Sequence, residues 1–161
     1  MVILAYGWVI FFGAPYIPTL KQQRQDAIKL LNLKKGQTFI DLGCGDGGLL
    51  ILAAEQGWKA VGYELNPFLA LVAWLRTRRF GRRVKVHCGS FWKADLSQAD
   101  GLFVFLIGHY MKKLGRLIDS QPHPQLRVVS NAFKIPGQKI VKQVGPLMLY
   151  EYPPKRNDAR Q

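Results

Sequence analysis

The stretch Asp41-Leu42-Gly43-Cys44-Gly45-Asp46-Gly47-Gly48, DLGCGDGG, decides how the rest of the chain is read. It follows a short apolar run, Thr38 to Asp41, and leads into GLLILAAEQ, a helix closed by Gly57 at a C′ position. Strand, glycine-rich turn and helix open a nucleotide-binding unit, and Gly43, Gly45 and Gly48 fit the spacing G-x-G-x-x-G. Such a turn lets a ligand approach backbone N–H groups at a helix start. By itself it admits any nucleoside cofactor.

Charge separates the candidates. Asp41 ends the strand and Asp46 sits inside the turn, beside the place where a pyrophosphate would rest, and two anions there repel it. S-adenosylmethionine carries no phosphate and presents an ammonium and a sulfonium, so the same carboxylates attract it. Glu64 closes a second strand, Lys59 to Glu64, where an acid accepts hydrogen bonds from ribose hydroxyls; this serves either cofactor. The cofactor-binding set is therefore Asp41, Gly43, Cys44, Gly45, Asp46 and Glu64, with Leu65 and Asn66 directly behind. A second reading of Asp46 is a turn residue that hydrogen-bonds its own backbone.

Asn66-Pro67 pairs a good N-cap with proline at the first helical position, and FLALVAWLRTRRF continues as helix. VKVHC, GLFVFLI and LRVVSNAF read as three more strands, with HYMKKLGRLID as a helix between the last two. Upstream, TLKQQRQDAIKLLNL is an amphipathic helix with Leu20, Ala27, Leu30 and Leu31 on one side and Thr19 as cap. Two extended runs in KIVKQVGPLMLYEYP, split by Gly145-Pro146, form a terminal hairpin. The alternation predicts an α/β fold with a mostly parallel sheet, helices on both faces and an antiparallel addition.

At 161 residues the chain has room for one domain, expected over 19–153, with a hydrophobic arm at 1–18 and a frayed polar tail at 154–161. The first twenty residues carry no charge. The fourteen before Pro15 would reach about 21 Å as a helix, against roughly 30 Å of hydrocarbon, which suits an interfacial anchor better than a span; an arm packed on its own domain or on a partner subunit is the other reading. The two cysteines, Cys44 and Cys88, share no C-x-x-C spacing, which argues against a zinc site or disulfide framework and for a reducing compartment. The formal charge of +13 favours anionic partners. Its densest stretch, Arg76 to Lys85, has six cations in ten residues and fits anionic lipid or nucleic-acid phosphate, but lacks interleaved aromatics for base stacking.

With APYIPT at 14–19, FIDLGCGDGGLLILAA at 39–54, AVGYELNP at 60–67, FWKADLS at 91–97, FVFL at 103–106 and RVVSNAFKIPG at 127–137, the chain resembles the class I S-adenosylmethionine-dependent methyltransferases. More narrowly, it resembles the mitochondrial lysine methyltransferases that modify the c-ring protein of ATP synthase and the adenine nucleotide translocase, with their prokaryotic relatives. The resemblance implies a Rossmann-like sheet of seven strands, S-adenosylmethionine as donor, and a lysine in a membrane protein as acceptor. It also places the enzyme at a membrane; with the reducing compartment that the cysteines suggest, the expected location is the cytoplasmic face of a membrane or the cytoplasm. It also implies that Phe91 and Trp92 flank adenine, that Thr19 with Pro15 and Pro18 covers the methionine end, and that His109 and Tyr110 line the acceptor site in a catalytic role. Two positions depart from the family pattern. Ser90 stands where an acid often meets the adenine amino group, and Gly108 replaces a proline after the fourth strand. An RNA or small-molecule methyltransferase, or a non-catalytic cofactor-binding partner, are the alternatives. No metal is called for by this chemistry.

Overall fold

The computed structural model describes residues 19–156; the hydrophobic arm expected at 1–18, with Pro15 and Pro18, and the end of the chain lie outside the described residues. No described helix is long and apolar enough to cross a membrane. The elements are α1 (Lys21–Leu31), β1 (Thr38–Leu42), α2 (Gly48–Glu55), β2 (Lys59–Glu64), α3 (Pro67–Thr77), a 3-10 segment (Arg78–Arg83), β3 (Val84–Cys88), a short 3-10 turn (Phe91–Lys93), β4 (Gly101–Val104), α4 (Gly108–Ser120), β5 (Leu126–Asn131), β6 (Lys142–Val144) and β7 (Leu147–Tyr152). They form one seven-stranded sheet in the order β3-β2-β1-β4-β5-β7-β6. The first five strands are parallel, and β7 runs antiparallel between β5 and β6. The predicted α/β architecture, its terminal hairpin included, is the one observed.

Two cores flank the sheet. On one face Phe39 and Ala60 pack with Ala27, Leu31, Leu50, Ala53 and Ala73 from α1, α2 and α3; on the other, Ile40, Leu42, Leu102 and Val104 pack with Met111, Leu114 and Ile118 of α4. Strand alternation assigns the faces, so Asp41 falls on the α1–α2 side with Phe39. In the parallel part of the sheet, chain order reverses between β1 and β4, where open α/β sheets leave a crevice beyond the strand ends. The loops after β1 and β4 flank it.

Several local expectations are corrected. Thr19 is not the cap of α1: Leu20 holds that position with no side-chain cap bond. Leu20 is also 66% exposed, and the buried set is Ala27, Ile28, Leu30 and Leu31, because α1 meets the sheet only from its middle onward. GLFVFLI is strand only to Val104, where pairing with β1 and β5 stops. Within the stretch expected as a polar tail at 154–161, Lys155 and His123 exchange backbone hydrogen bonds of 2.9 and 3.0 Å.

Candidate active site

The glycine turn is tied to β2 by its own amides. Gly43 N and Cys44 N both donate to Tyr63 O at 2.9 Å, and Gly45 N donates to Glu64 Oε2 at 2.9 Å. Glu64 Oε1 accepts from Asn66 N at 2.8 Å, so one carboxylate fixes the turn and the start of α3 together. Asn66 then caps α3, accepting from Phe68 N and Leu69 N, with Pro67 behind it as its sequence predicts. Each Glu64 oxygen keeps a lone pair for a ribose hydroxyl.

Asp41 is 3% exposed, and among the described residues its side chain has neither a hydrogen-bond donor nor an ion-pair partner. Burial, then the neighbouring Glu64 charge, push its pKa from an ordinary 3.8 up to about 8, against the pull of Arg24. A buried carboxylate in this state has a strong demand for a cationic partner. Gly43 is exposed at φ +99°, with nothing within 4 Å of where a Cβ would stand, so the backbone beside Asp41 is open to a ligand. These features fit the ammonium-bearing end of S-adenosylmethionine.

Asp46 does something else. Its carboxylate pairs with Arg24 Nη2 at 3.4 Å and with Arg76 Nη1, and it accepts from Gly48 N at 3.1 Å. Arg76 Nη1 also donates to Asp46 O at 2.9 Å. Two guanidiniums therefore neutralise the acid that was expected to select a cationic cofactor. Asp46 thus makes the contacts of its second reading, a turn residue bonded to its own backbone, with two arginines as partners, and Asp41 is the acid left without a described partner. Arg24 and Arg76, on α1 and α3, are site residues that sequence reasoning misses, and nothing in their local pattern marks them. A Cβ on Gly48 would lie 1.7 Å from Arg24 Nη1, so the missing side chain is the space the guanidinium occupies.

The remaining expected residues fall along the same edge. Gly89 N donates to Glu64 O at 2.8 Å, which brings Ser90, Phe91 and Trp92 beside Glu64. Ser90 Oγ accepts from Trp92 N at 3.4 Å and caps the short 3-10 turn. Trp92 lies 4.7 Å from Phe91 and 6.0 Å from Tyr110 between ring centroids, and the His109 ring lies 3.9 Å from that of Tyr110, tilted by 43°. Phe91, Trp92, Tyr110 and His109 thus form one aromatic rim at the start of α4. Gly108 leaves room for Phe133, whose Cδ1 would be 3.0 Å from an added Cβ. Leu65 is exposed beside Glu64. The Cys44 side chain is buried, with Sγ 2.7 Å from a Cβ placed on Gly62, and desolvation drives its thiol pKa far up, so the sulfur stays protonated. Thr19 makes no described side-chain hydrogen bond; the start of α1 brings Gln23 to Asn131 and Arg24 to Asp46 instead.

One stability prediction arises from the turn. Gly47 has φ +79°, and an added Cβ would sit 3.1 Å from Ala73 Cβ and 3.2 Å from Ala73 Cα. Gly47→Ala is expected to cost about 2–4 kcal/mol, from left-handed strain plus overpacking against α3. Chemical denaturation measures it, and a cost below about 1 kcal/mol would show that α3 can move away.

A parallel sheet of order 3-2-1-4-5 with a reversed seventh strand, an acid one residue before the end of β1, a glycine turn and an acid ending β2 defines a class I S-adenosylmethionine-dependent methyltransferase domain. The chain belongs to the ANTKMT methyltransferase domain family, whose model matches residues 41–142. It is 33% identical over 134 residues to the mouse adenine nucleotide translocase lysine N-methyltransferase, covering 81% of this chain and 58% of that protein. It is 31% identical over 127 residues to a protein-lysine N-methyltransferase of Saccharolobus islandicus, covering 76% and 79%. An RNA methyltransferase from Salinibacter ruber, solved with S-adenosyl-L-homocysteine, superimposes with a TM-score of 0.76 at 25% identity, over 88% of this chain and 97% of that one. The chain spans little more than half the length of the mouse relative.

Proposed function

We propose that the protein transfers a methyl group from S-adenosylmethionine to a lysine side chain of a membrane-associated protein. The observation that carries this reading is the family match over residues 41–142, which contains every acid of the cofactor edge. When bound, the cofactor supplies an electrophilic methyl on a sulfonium. The carboxylate of Asp41 meets the ammonium, Glu64 accepts from the ribose hydroxyls, Arg24 complements the amino-acid carboxylate, and Phe91 and Trp92 flank the base.

In-line transfer forms the N–C bond as the S–C bond breaks, and the sulfur keeps the electron pair. The acceptor amine must first shed its proton, and the rest of the work is alignment and exclusion of water. Tyr110 walls the acceptor approach, and the imidazole of His109 beside it takes the amine's proton. His109→Ala is expected to slow transfer roughly tenfold or more, with cofactor affinity unchanged. An unaltered rate would reduce His109 to a helix-start residue.

RNA is the second acceptor class, favoured by the charge of +13 and by the likeness to the Salinibacter structure. The test is transfer of radiolabelled methyl from S-adenosylmethionine into membrane fractions, with RNA as competing acceptor. Label recovered in methyl-lysine supports the proposal. Label confined to RNA overturns it, and label nowhere would leave a cofactor-binding partner protein.

A further inference from the structure

Helix α3 is built the wrong way round for a helix of a soluble domain. The face it turns to the sheet carries Ala70, Ala73 and Thr77, all buried, and the small side chains let it settle against the glycine turn at Gly47. Its large apolar residues point outward: Phe68 is 59% exposed, Leu71 52%, Trp74 51% and Leu75 45%. Phe68, Leu71 and Leu75 follow the spacing i, i+3, i+7 and make one stripe, with Trp74 at its border. Contiguous exposed apolar surface of this kind marks an interaction site.

The stripe runs directly into cations. Arg78, Arg79, Arg82 and Arg83 follow in the 3-10 segment and are all exposed. Among the described residues Arg79 pairs with Glu55 and Arg83 donates to Ala54 O, while Arg78 and Arg82 have no described acidic partner. Arg82 and Arg83 also form one wall of a groove of about 350 Å³ whose other walls are Lys35, Gly36, Gly57 and Lys59. No carboxylate lines it. An apolar stripe followed along the chain by arginines, two of which line a four-cation groove, matches a surface that is hydrocarbon below and phosphate above.

We propose that the outward face of α3, with the groove at its end, docks the protein on an anionic phospholipid bilayer. Phosphate headgroups enter the Lys35–Lys59–Arg82–Arg83 groove, and Phe68, Leu71, Trp74 and Leu75 enter the acyl boundary. Charge complementarity selects this occupant. A second copy of a chain of charge +13 would bring like-charged arginine clusters together, and the uncharged segment 1–18 would leave the groove unanswered. Nucleic acid would use the cations but gain nothing from Leu71 and Leu75. With α3 lying along the bilayer, its first residues hold the Glu64 edge at the membrane surface. The proposal does not depend on the acceptor or on catalysis.

The test is co-sedimentation of the full chain with vesicles of phosphatidylcholine alone or with phosphatidylglycerol. The variants are Leu71→Gln with Leu75→Gln, and Arg78→Gln with Arg82→Gln. Each pair is expected to weaken binding to phosphatidylglycerol vesicles on the order of tenfold while S-adenosylhomocysteine binding, which checks the fold, stays unchanged. Brominated acyl chains should quench the wild-type fluorescence, and Trp74→Phe should remove most of that quenching. Vesicle affinity unchanged in both pairs, which would assign attachment to segment 1–18, overturns the proposal. So does equal binding to phosphatidylcholine alone, loss of RNA binding with vesicle binding intact, or a dimer that the leucine pair dissociates.

Discussion

Replacing Asp41 by asparagine is expected to weaken S-adenosylhomocysteine binding and at the same time to make the ligand-free protein more stable. The binding loss follows from removing a charge-assisted partner of the ammonium, about 2–3 kcal/mol and so roughly 30- to 150-fold. The stability gain follows from linkage. The folded-state pKa of about 8 lies above the ordinary 3.8, so the folded chain holds a proton that the unfolded chain has released. Asp41 therefore costs no stability below pH 3.8, costs progressively more as pH rises toward 8, and reaches its full cost above that. At neutral pH Asp41→Asn should recover on the order of 2 kcal/mol, seen as a melting midpoint about 4–8 °C higher.

The same group sets a pH dependence of binding. Only the ionised carboxylate attracts the ammonium, so wild-type affinity should rise with pH from about 6 toward 8, by up to roughly tenfold per unit, with release of a proton. Over that range the asparagine variant should be nearly flat. A variant that binds as tightly as wild type, or melts lower, would show that Asp41 serves the fold and not the ligand.

Glu64→Ala is expected to lose the ligand as well, with the opposite effect on the fold. The carboxylate accepts from Gly45 N and Asn66 N, so its removal leaves two part-buried amides without partners at the turn and at the start of α3. A loss of about 2–3 kcal/mol in stability is expected. Affinity should fall roughly 100-fold, because the ribose acceptor is gone and the turn is no longer fixed. Glu64→Gln, which keeps one acceptor oxygen, should recover part of both. Calorimetry and thermal melts on the two acidic positions thus give one shared sign and one opposed sign. If Glu64→Ala melted like wild type, the carboxylate would not be the tie between turn and helix.

What the sequence makes legible is local. The bounds of β2 and β3, the Asn66-Pro67 start of α3 and the Gly145-Pro146 hairpin are written in neighbouring residues, and the structure agrees with all of them. Asp41 and Glu64 are legible as candidate site acids because strand ends of a parallel sheet face the same crevice. The role of Asp46 is not, because its partners, Arg24 and Arg76, lie 22 and 30 residues away on helices that only the folded chain brings over the turn. Leu20 and Thr19 escape for another reason: helical periodicity does not say where along its length α1 meets the sheet. The outward stripe of α3 hides in an apolar run that, by composition alone, belongs to a core.

Titration calorimetry of S-adenosylmethionine into the full chain, wild type beside Asp41→Asn and Glu64→Ala, tests the cofactor edge most directly. The expected result is saturable one-to-one binding by the wild type, weakened by more than an order of magnitude in both variants. No binding by the wild type, or equal affinity in all three, would contradict it.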